Sequence, residues 1–243
     1  MARRRLDLLL VERGIFDSRS RARAAIEAGG VSVAGRTALK PAELVEEAAD
    51  IVAAPAHPWV GRGALKLAHA LELWPVAVAG RTVLDVGAST GGFTEVCLAR
   101  GAARVYAVDV GHGQLHPLLR GDARVVVLEG VDARGLDRAL VPEPVGLVVC
   151  DVSFIGLAKA LPAAFALAGP GADLVALVKP QFEVGPERVG KGGLVREEAD
   201  RLQAVAAVAG FLKTAGWRVQ ATAESPVAGG EGAREHLLWA KSL

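Results

Sequence analysis

The sequence predicts a doubly wound α/β sheet behind a small N-terminal α+β domain. Three observations carry this: a strand that breaks into a glycine-rich loop at LDVGASTGGFTE (84–95), five mostly apolar strand-length runs separated by helix-length stretches, and a change of pattern near residue 57. Strands alternating with helices build a largely parallel sheet, and its ligand lies beyond the carboxyl ends of the strands.

The first fifty residues read as helix, helix and short strands. Leu6 to Arg13 forms a helix that stops at Gly14. Ser18 to Ala28 forms another, with Ala22, Ala25 and Ile26 on one face and Gly29-Gly30 as its stop. Val31 and Val33 alternate as a strand, Ala34-Gly35-Arg36 turns, and Asp50 to Ala53 closes the unit. Residues 1–40 carry nine Lys and Arg against four Asp and Glu, in a chain whose net charge is +1. Arg3, Arg4 and Arg5 precede the first helix, Arg19, Arg21 and Arg23 open the second, and Lys40 follows the turn, a pattern suited to phosphate contact. An ordinary solvated face would account for the same charges. In order and spacing, RLDLLLVERG, SRSRARAAIEAGGVSVAG and KPAELVEEAADIVA resemble the small RNA-binding module named after a ribosomal small-subunit protein. The division expected is residues 1–56 for this module, 57–60 for a linker around His57 and Pro58, and 61–243 for the second domain.

After an opening helix at Gly63 to Leu73, strands are expected at Thr82 to Val86, Val105 to Val108, Val125 to Leu128, Leu147 to Cys150 and Leu174 to Val178. Trp217 to Ala221 and His236 to Ala240 close the sheet. Asp85, Asp109, Asp151 and Lys179 each fall at or just past a strand end, where a core has no repeated need of polar groups.

The loop at 87–92 decides the ligand class. Gly87, Gly91 and Gly92 let the backbone approach a ligand, Ser89 and Thr90 add hydroxyls, and the helix that follows offers unpaired N–H groups. Asp109, ending the second strand, can take both hydroxyls of a ribose. A dinucleotide site wants GxGxxG beneath a pyrophosphate, whereas GASTGG has Ser89 at the second glycine. The loop suits a nucleoside without phosphates and points to S-adenosylmethionine. A DxG turn with no ligand is the structural alternative.

Two cysteines, Cys97 and Cys150, lie far apart and build neither a disulfide framework nor a metal cluster, which suits a reducing cytoplasm. The apolar run of MARRRLDLLLVERG is too short for a signal peptide, and Ala160 to Ala172 is too short to span a membrane and is broken by Pro162 and Pro170. A soluble protein with no membrane partner is expected. His112 and His116 stand at i and i+4 but have no third ligand in view, so no metal site is assigned.

Four further polar positions complete the pattern: Lys66 in GRGALKL, Asp151 after LVVC, Lys179 after LVAL, and Glu235 in GGEGAREHLL. Together with DVGASTGGF, VDVGHGQL, DVSFI and VKPQFEVG they resemble the TlyA-type ribosomal RNA 2′-O-methyltransferases, often labelled haemolysin A, almost end to end. The resemblance implies a Rossmann-like methyltransferase sheet similar to that of FtsJ, S-adenosylmethionine as methyl donor, Lys66, Asp151, Lys179 and Glu235 as the catalytic set, and a cytidine ribose of ribosomal RNA, within a ribosomal subunit, as substrate. By position, Asp85, Gly87, Ser89, Thr90, Gly91, Gly92 and Phe93 would surround the methionine and ribose, Asp109 the ribose, and Asp132 the adenine amino group. The chain departs from the family where Gly130-Val131-Asp132 replaces an Arg-Thr-Asn pattern, at Ala233, at Gly61 and at His57. Trp59 either couples the two domains or simply packs between them.

A ribose hydroxyl must lose its proton as it attacks the sulfonium methyl. Lysine is a poor base at its ordinary pKa of about 10.4, but a neighbouring cation and partial burial favour its neutral form. Lys66 beside Lys179 would supply that, with Asp151 and Glu235 orienting the ammonium groups; either lysine could be the base. A surface Lys66–Glu235 ion pair is the bland alternative. Of the competing functions, a cytolysin lacks any membrane segment, a ribosome-binding scaffold would need only residues 1–56, and a small-molecule O-methyltransferase leaves the arginine-rich module without a task. The chain stops at Leu243 without the C-terminal extension of relatives that modify both subunits, which favours large-subunit RNA while leaving the small subunit possible.

Overall fold

The computed structural model describes residues 2–243, which divide into one compact unit ending at Pro58 and a second covering Trp59–Leu243. In the first unit β1 (Arg3–Arg5) leads into α1 (Leu6–Glu12) and α2 (Arg19–Glu27), followed by β2 (Val31–Val33), β3 (Arg36–Thr37), β4 (Leu44–Glu46) and β5 (Ile51–Ala53). Ser18 caps α2 by accepting the Arg21 N–H at 3.4 Å. β2 pairs antiparallel with β3 and β5, and β1 pairs antiparallel with β4. Leu6, Leu9, Leu10, Ala22, Ala25, Ile26 and Val31 form the core.

The arginines of this unit do not form the open basic face that the linear run suggests. Asp7 is fully buried, and its Oδ2 accepts from Arg5 at 3.0 Å and from Arg19 at 2.8 Å. These hydrogen bonds, Arg5's first, hold the Asp7 carboxyl down at about 2. Arg4 pairs with Glu47 at 2.6 Å, Arg21 with Asp17 at 2.9 Å, Arg23 with Glu27 at 3.7 Å, and Arg36 with Glu43. The physical reason is compositional. Glu43, Glu46, Glu47 and Asp50 follow the basic stretch, which brings residues 1–58 to nine Lys and Arg against eight Asp and Glu, and Glu43 and Glu47 pair back with it.

The second unit contains α3 (Gly63–Leu73), β6 (Thr82–Val86), α4 (Gly92–Ala99), β7 (Arg104–Asp109), α5 (Pro117–Arg120), β8 (Val125–Glu129), β9 (Val145–Cys150), α6 (Leu157–Ala160), α7 (Pro162–Leu167), β10 (Ala168–Val178), α8 (Pro180–Glu183), α9 (Glu198–Thr214), β11 (Trp217–Glu224) and β12 (His236–Ser242). The seven strands lie in the order β11-β12-β10-β9-β6-β7-β8. β6 pairs parallel with both β7 and β9, and β12 runs antiparallel between β10 and β11. Strand alternation sorts the core into two layers. Val83, Val105, Leu147, Val175 and Leu237 pack on α3 and α4, while Leu84, Val86, Val108, Val148 and Leu174 face the layer that holds α7 and α9. No helix among the described residues is long and apolar enough to cross a membrane.

The strand order reverses between β6 and β9, so a crevice opens at their carboxyl ends. Trp59 packs on the α3 layer, and the adjacent Val60 N–H donates to Glu95 Oε2 at 2.7 Å.

Candidate functional site

The crevice is a cleft of about 780 Å³ walled by the ends of four strands: Val86, Gly87 and Ser89 after β6, Val108 to Val110 after β7, Val131 to Arg134 after β8, and Asp151 to Gly156 after β9. Gly87 has φ +85, and a Cβ there would stand 2.7 Å from the Asp151 carbonyl oxygen, so only glycine lets these two strand ends approach. Ser89 also holds a positive φ of +47. Its N–H donates to Asp109 Oδ2 and the Gly111 N–H donates to Asp109 Oδ1, each at 2.8 Å. Asp109 is thereby fixed at the cleft wall with further lone pairs for a ribose.

The loop after β7 is held by a carboxylate that the sequence reading missed. Glu129 accepts the N–H groups of Gly113, Gln114 and Leu115 at 2.8–3.0 Å and pairs with Arg120 at 2.6 Å. The Leu115 N–H contributes most to holding its carboxyl near 2. The loop so fixed carries Gln114, whose Oε1 accepts the Ser89 hydroxyl at 3.2 Å. Glu129 ends a strand, and that was the available signal. Asp132 reaches the cleft as expected, but its carboxylate is bound to Arg134, which holds it at about 2. Arg134 shares the cleft wall.

Asp85, Thr90, Gly91, Gly92 and Phe93 do not wall the cleft. Asp85 is fully buried on the α3 and α4 side, because alternation turns it with Val83 away from Leu84 and Val86. Thr94 donates to its Oδ2 at 2.6 Å, while Oδ1 has no hydrogen-bond partner. Burial, the largest cause, pushes the carboxyl up to about 7. A proton is therefore held by the folded protein after the unfolded chain has released it. The associated stability is complete below the ordinary carboxylate value of 3.8 and is lost as pH rises through about 7. Relative to Asp85→Asn, the parent should lose about 1.4 kcal/mol per pH unit across this window; parallel curves in urea titrations at pH 4 to 7 would disprove it.

The four expected catalytic residues form two ion pairs. Lys179 Nζ stands 2.6 Å from Asp151 Oδ1 and donates to Ser153 Oγ at 2.8 Å. Lys66 Nζ donates to Glu235 Oε2 at 2.5 Å, with 9% and 3% of the two side chains exposed. The Lys66–Glu235 pair is therefore a buried one and not the surface pair considered above. Lys179 lies past β10, and Glu235 precedes the antiparallel β12, so both reach the same edge of the sheet. Phe154, 91% exposed with φ +65, packs against Phe182 with ring centroids 5.3 Å apart. DVSFI contained Phe154, but nothing in the string marked its conformation. His116 caps α5, its Nδ1 accepting the Leu118 N–H at 3.3 Å, and the Gly130 backbone lies against the His112 ring.

The arrangement can hold an adenosyl ligand against the β6 and β7 ends and present a lysine at its rim. Comparisons with known proteins agree. The profile of the S4 domain matches residues 4–51, and that of the FtsJ-like methyltransferase matches residues 59–242. A Mycobacterium tuberculosis protein named 16S/23S rRNA (cytidine-2′-O)-methyltransferase TlyA is 50% identical over 245 residues, covering 100% of this chain and 91% of the relative. A Campylobacter jejuni protein named 23S rRNA (cytidine-2′-O)-methyltransferase TlyA is 34% identical, covering 74% of this chain and 70% of its own. A structure solved under a provisional hemolysin label from Streptococcus thermophilus superposes with a TM-score of 0.79 at 36% identity, covering 100% of this chain and 89% of that one. With three quarters of its length matched, the chain belongs to the FtsJ-like methyltransferase family and carries an N-terminal S4 domain.

Proposed function

We propose that the protein transfers the methyl group of S-adenosylmethionine to the 2′-hydroxyl of a cytidine ribose in ribosomal RNA, in the cytoplasm. The observation that carries this reading is the Lys179–Asp151 pair at the edge of a cleft that has Asp109 on its wall and no pyrophosphate loop. The cofactor supplies an electrophilic methyl on a sulfonium. Gly87 and Ser89 accommodate it, and Asp109 takes its ribose.

Lys179 in its neutral form takes the proton of the ribose hydroxyl, and Asp151 stabilises the ammonium that results. Ser153 fixes the direction of the lysine. Both partners of Lys179, Asp151 and Ser153, line the cleft, whereas Lys66 is buried against Glu235, so Lys179 is the lysine assigned as base. Asp132, occupied by Arg134, leaves the adenine edge to backbone groups of 131–133. The S4 domain grips RNA phosphates. Arg3 and Lys40, which have no ion pair among the described residues, are assigned that contact ahead of Arg4, Arg5, Arg19, Arg21 and Arg23, each of which has an acidic partner. In filter binding across a salt series, Lys40→Ala should reduce the slope of log affinity against log salt by roughly 0.7 to 0.9; an unchanged slope would remove Lys40 from the interface.

The test is incubation with S-adenosylmethionine and unmodified ribosomal RNA or subunits, followed by mapping of 2′-O-methyl groups. 23S RNA is common to the names of both relatives, so the large subunit is the first substrate. New methyl groups on a cytidine ribose are expected. Methylation of small hydroxylated acceptors with none on RNA would favour a small-molecule enzyme.

A further inference from the structure

The segment after β9 carries Asp151, Ser153 and Phe154 and runs directly into α6. The start of α6 has no capping side chain of its own, because its N-cap is Gly156. The cap comes instead from another element. Glu183, at the end of α8, accepts the Leu157 N–H on Oε1 at 2.8 Å. α8 opens immediately after Lys179. Two short segments are thus tied at both ends, by Lys179 to Asp151 and Ser153 at one end and by Glu183 to Leu157 at the other. Between the ties, Phe154 holds a left-handed backbone that L side chains rarely adopt, and such conformations persist only where the surroundings enforce them.

The fit at Gly156 is close. A Cβ built there would stand 3.1 Å from both Glu183 Oε2 and the Phe182 carbonyl oxygen. The glycine and the glutamate are therefore matched across the two segments, and either a side chain at 156 or the loss of the carboxylate at 183 disturbs the same contact. Glu183 is half-buried, and its burial raises its pKa, so the carboxylate occupies this place at a desolvation cost that surface packing alone would not demand.

We propose that Glu183 is a positioning residue for methyl transfer, holding the Asp151–Gly156 segment in register with Lys179 through the Leu157 N–H. This rests on the functional reading above. It acts through Lys179 and Asp151 and touches neither methyl donor nor acceptor. It predicts a loss in the chemical step with binding retained, since small misplacement of reacting groups is costly to rate even where affinity survives.

The experiment compares parent, Glu183→Ala, Glu183→Gln and Gly156→Ala in single-turnover methyl transfer to ribosomal RNA, with binding of S-adenosylhomocysteine and amide hydrogen exchange at Leu157 measured on each. Glu183→Ala should transfer about 10- to 100-fold more slowly, bind S-adenosylhomocysteine as the parent does, and exchange the Leu157 amide faster. Glu183→Gln keeps the acceptor oxygen and should recover most of the rate, whereas Gly156→Ala should be slowed although Glu183 is intact. Parent-like transfer by both alanine variants overturns the inference, as does a glutamine variant no faster than Glu183→Ala. A parent that binds S-adenosylhomocysteine yet transfers no methyl to RNA overturns the functional reading, and this inference with it, which separates that failure from the first.

Discussion

Lys179→Ala is expected to lower the single-turnover rate of methyl transfer by about 10²- to 10⁴-fold, the usual effect of removing a positioned acid-base group, while cofactor and RNA affinities stay near those of the parent. The geometry gives the reason. Lys179 has one partner that stabilises its charged form, Asp151 at 2.6 Å, and one neutral partner, Ser153 at 2.8 Å. A lysine that takes the ribose proton here forms its ammonium beside the Asp151 carboxylate, and alanine removes that proton acceptor. The alanine variant should therefore lose the chemical step while the cleft that holds the cofactor stays intact. Measurement of single-turnover transfer, beside S-adenosylhomocysteine and RNA binding, checks both parts. A Lys179→Ala protein with near-normal rate would move the role of base to another group.

Most of the sheet was legible because its strands are apolar runs cut by turn residues, as expected where both faces are covered. Thr82 to Val86 and Gly63 to Leu73 coincide with the expected segments. What escaped was set by contacts distant in sequence. β1 exists because Arg3–Arg5 finds Leu44–Glu46 forty residues later, and nothing local in an arginine triplet encodes a strand. Distance in sequence also hid the pairing of Arg19 with Asp7 and of Arg4 with Glu47. At the site, motif spacing identified which residues gather at the sheet edge but not how they pair. Lys66 and Glu235 are 169 positions apart, and only the fold closes them to 2.5 Å. Asp85 shows the opposite failure: a motif position was taken as a cleft position, and strand parity turned its side chain into the core.

The Lys66–Glu235 pair carries the other large effect. Glu235→Ala leaves a lysine with 9% of its side chain exposed and no counter-charge, and breaking a buried pair by deleting one partner typically costs about 3–5 kcal/mol. At about 2–4 °C per kcal/mol for a unit of this size, the melting temperature should fall by on the order of 10 °C. The double variant Lys66→Met, Glu235→Leu removes both charges and should recover most of that loss, because two matched apolar side chains incur no desolvation penalty. Calorimetry on parent, both singles and the double gives the coupling directly, and additive singles would show that the pair is not buried in solution. The same four proteins separate structure from chemistry. If the pair only holds α3 against the end of the sheet, transfer recovers with stability in the double variant. If Lys66 also meets the RNA ribose or supports Lys179 electrostatically, stability returns and transfer does not, because methionine fills the space of a lysine without its charge.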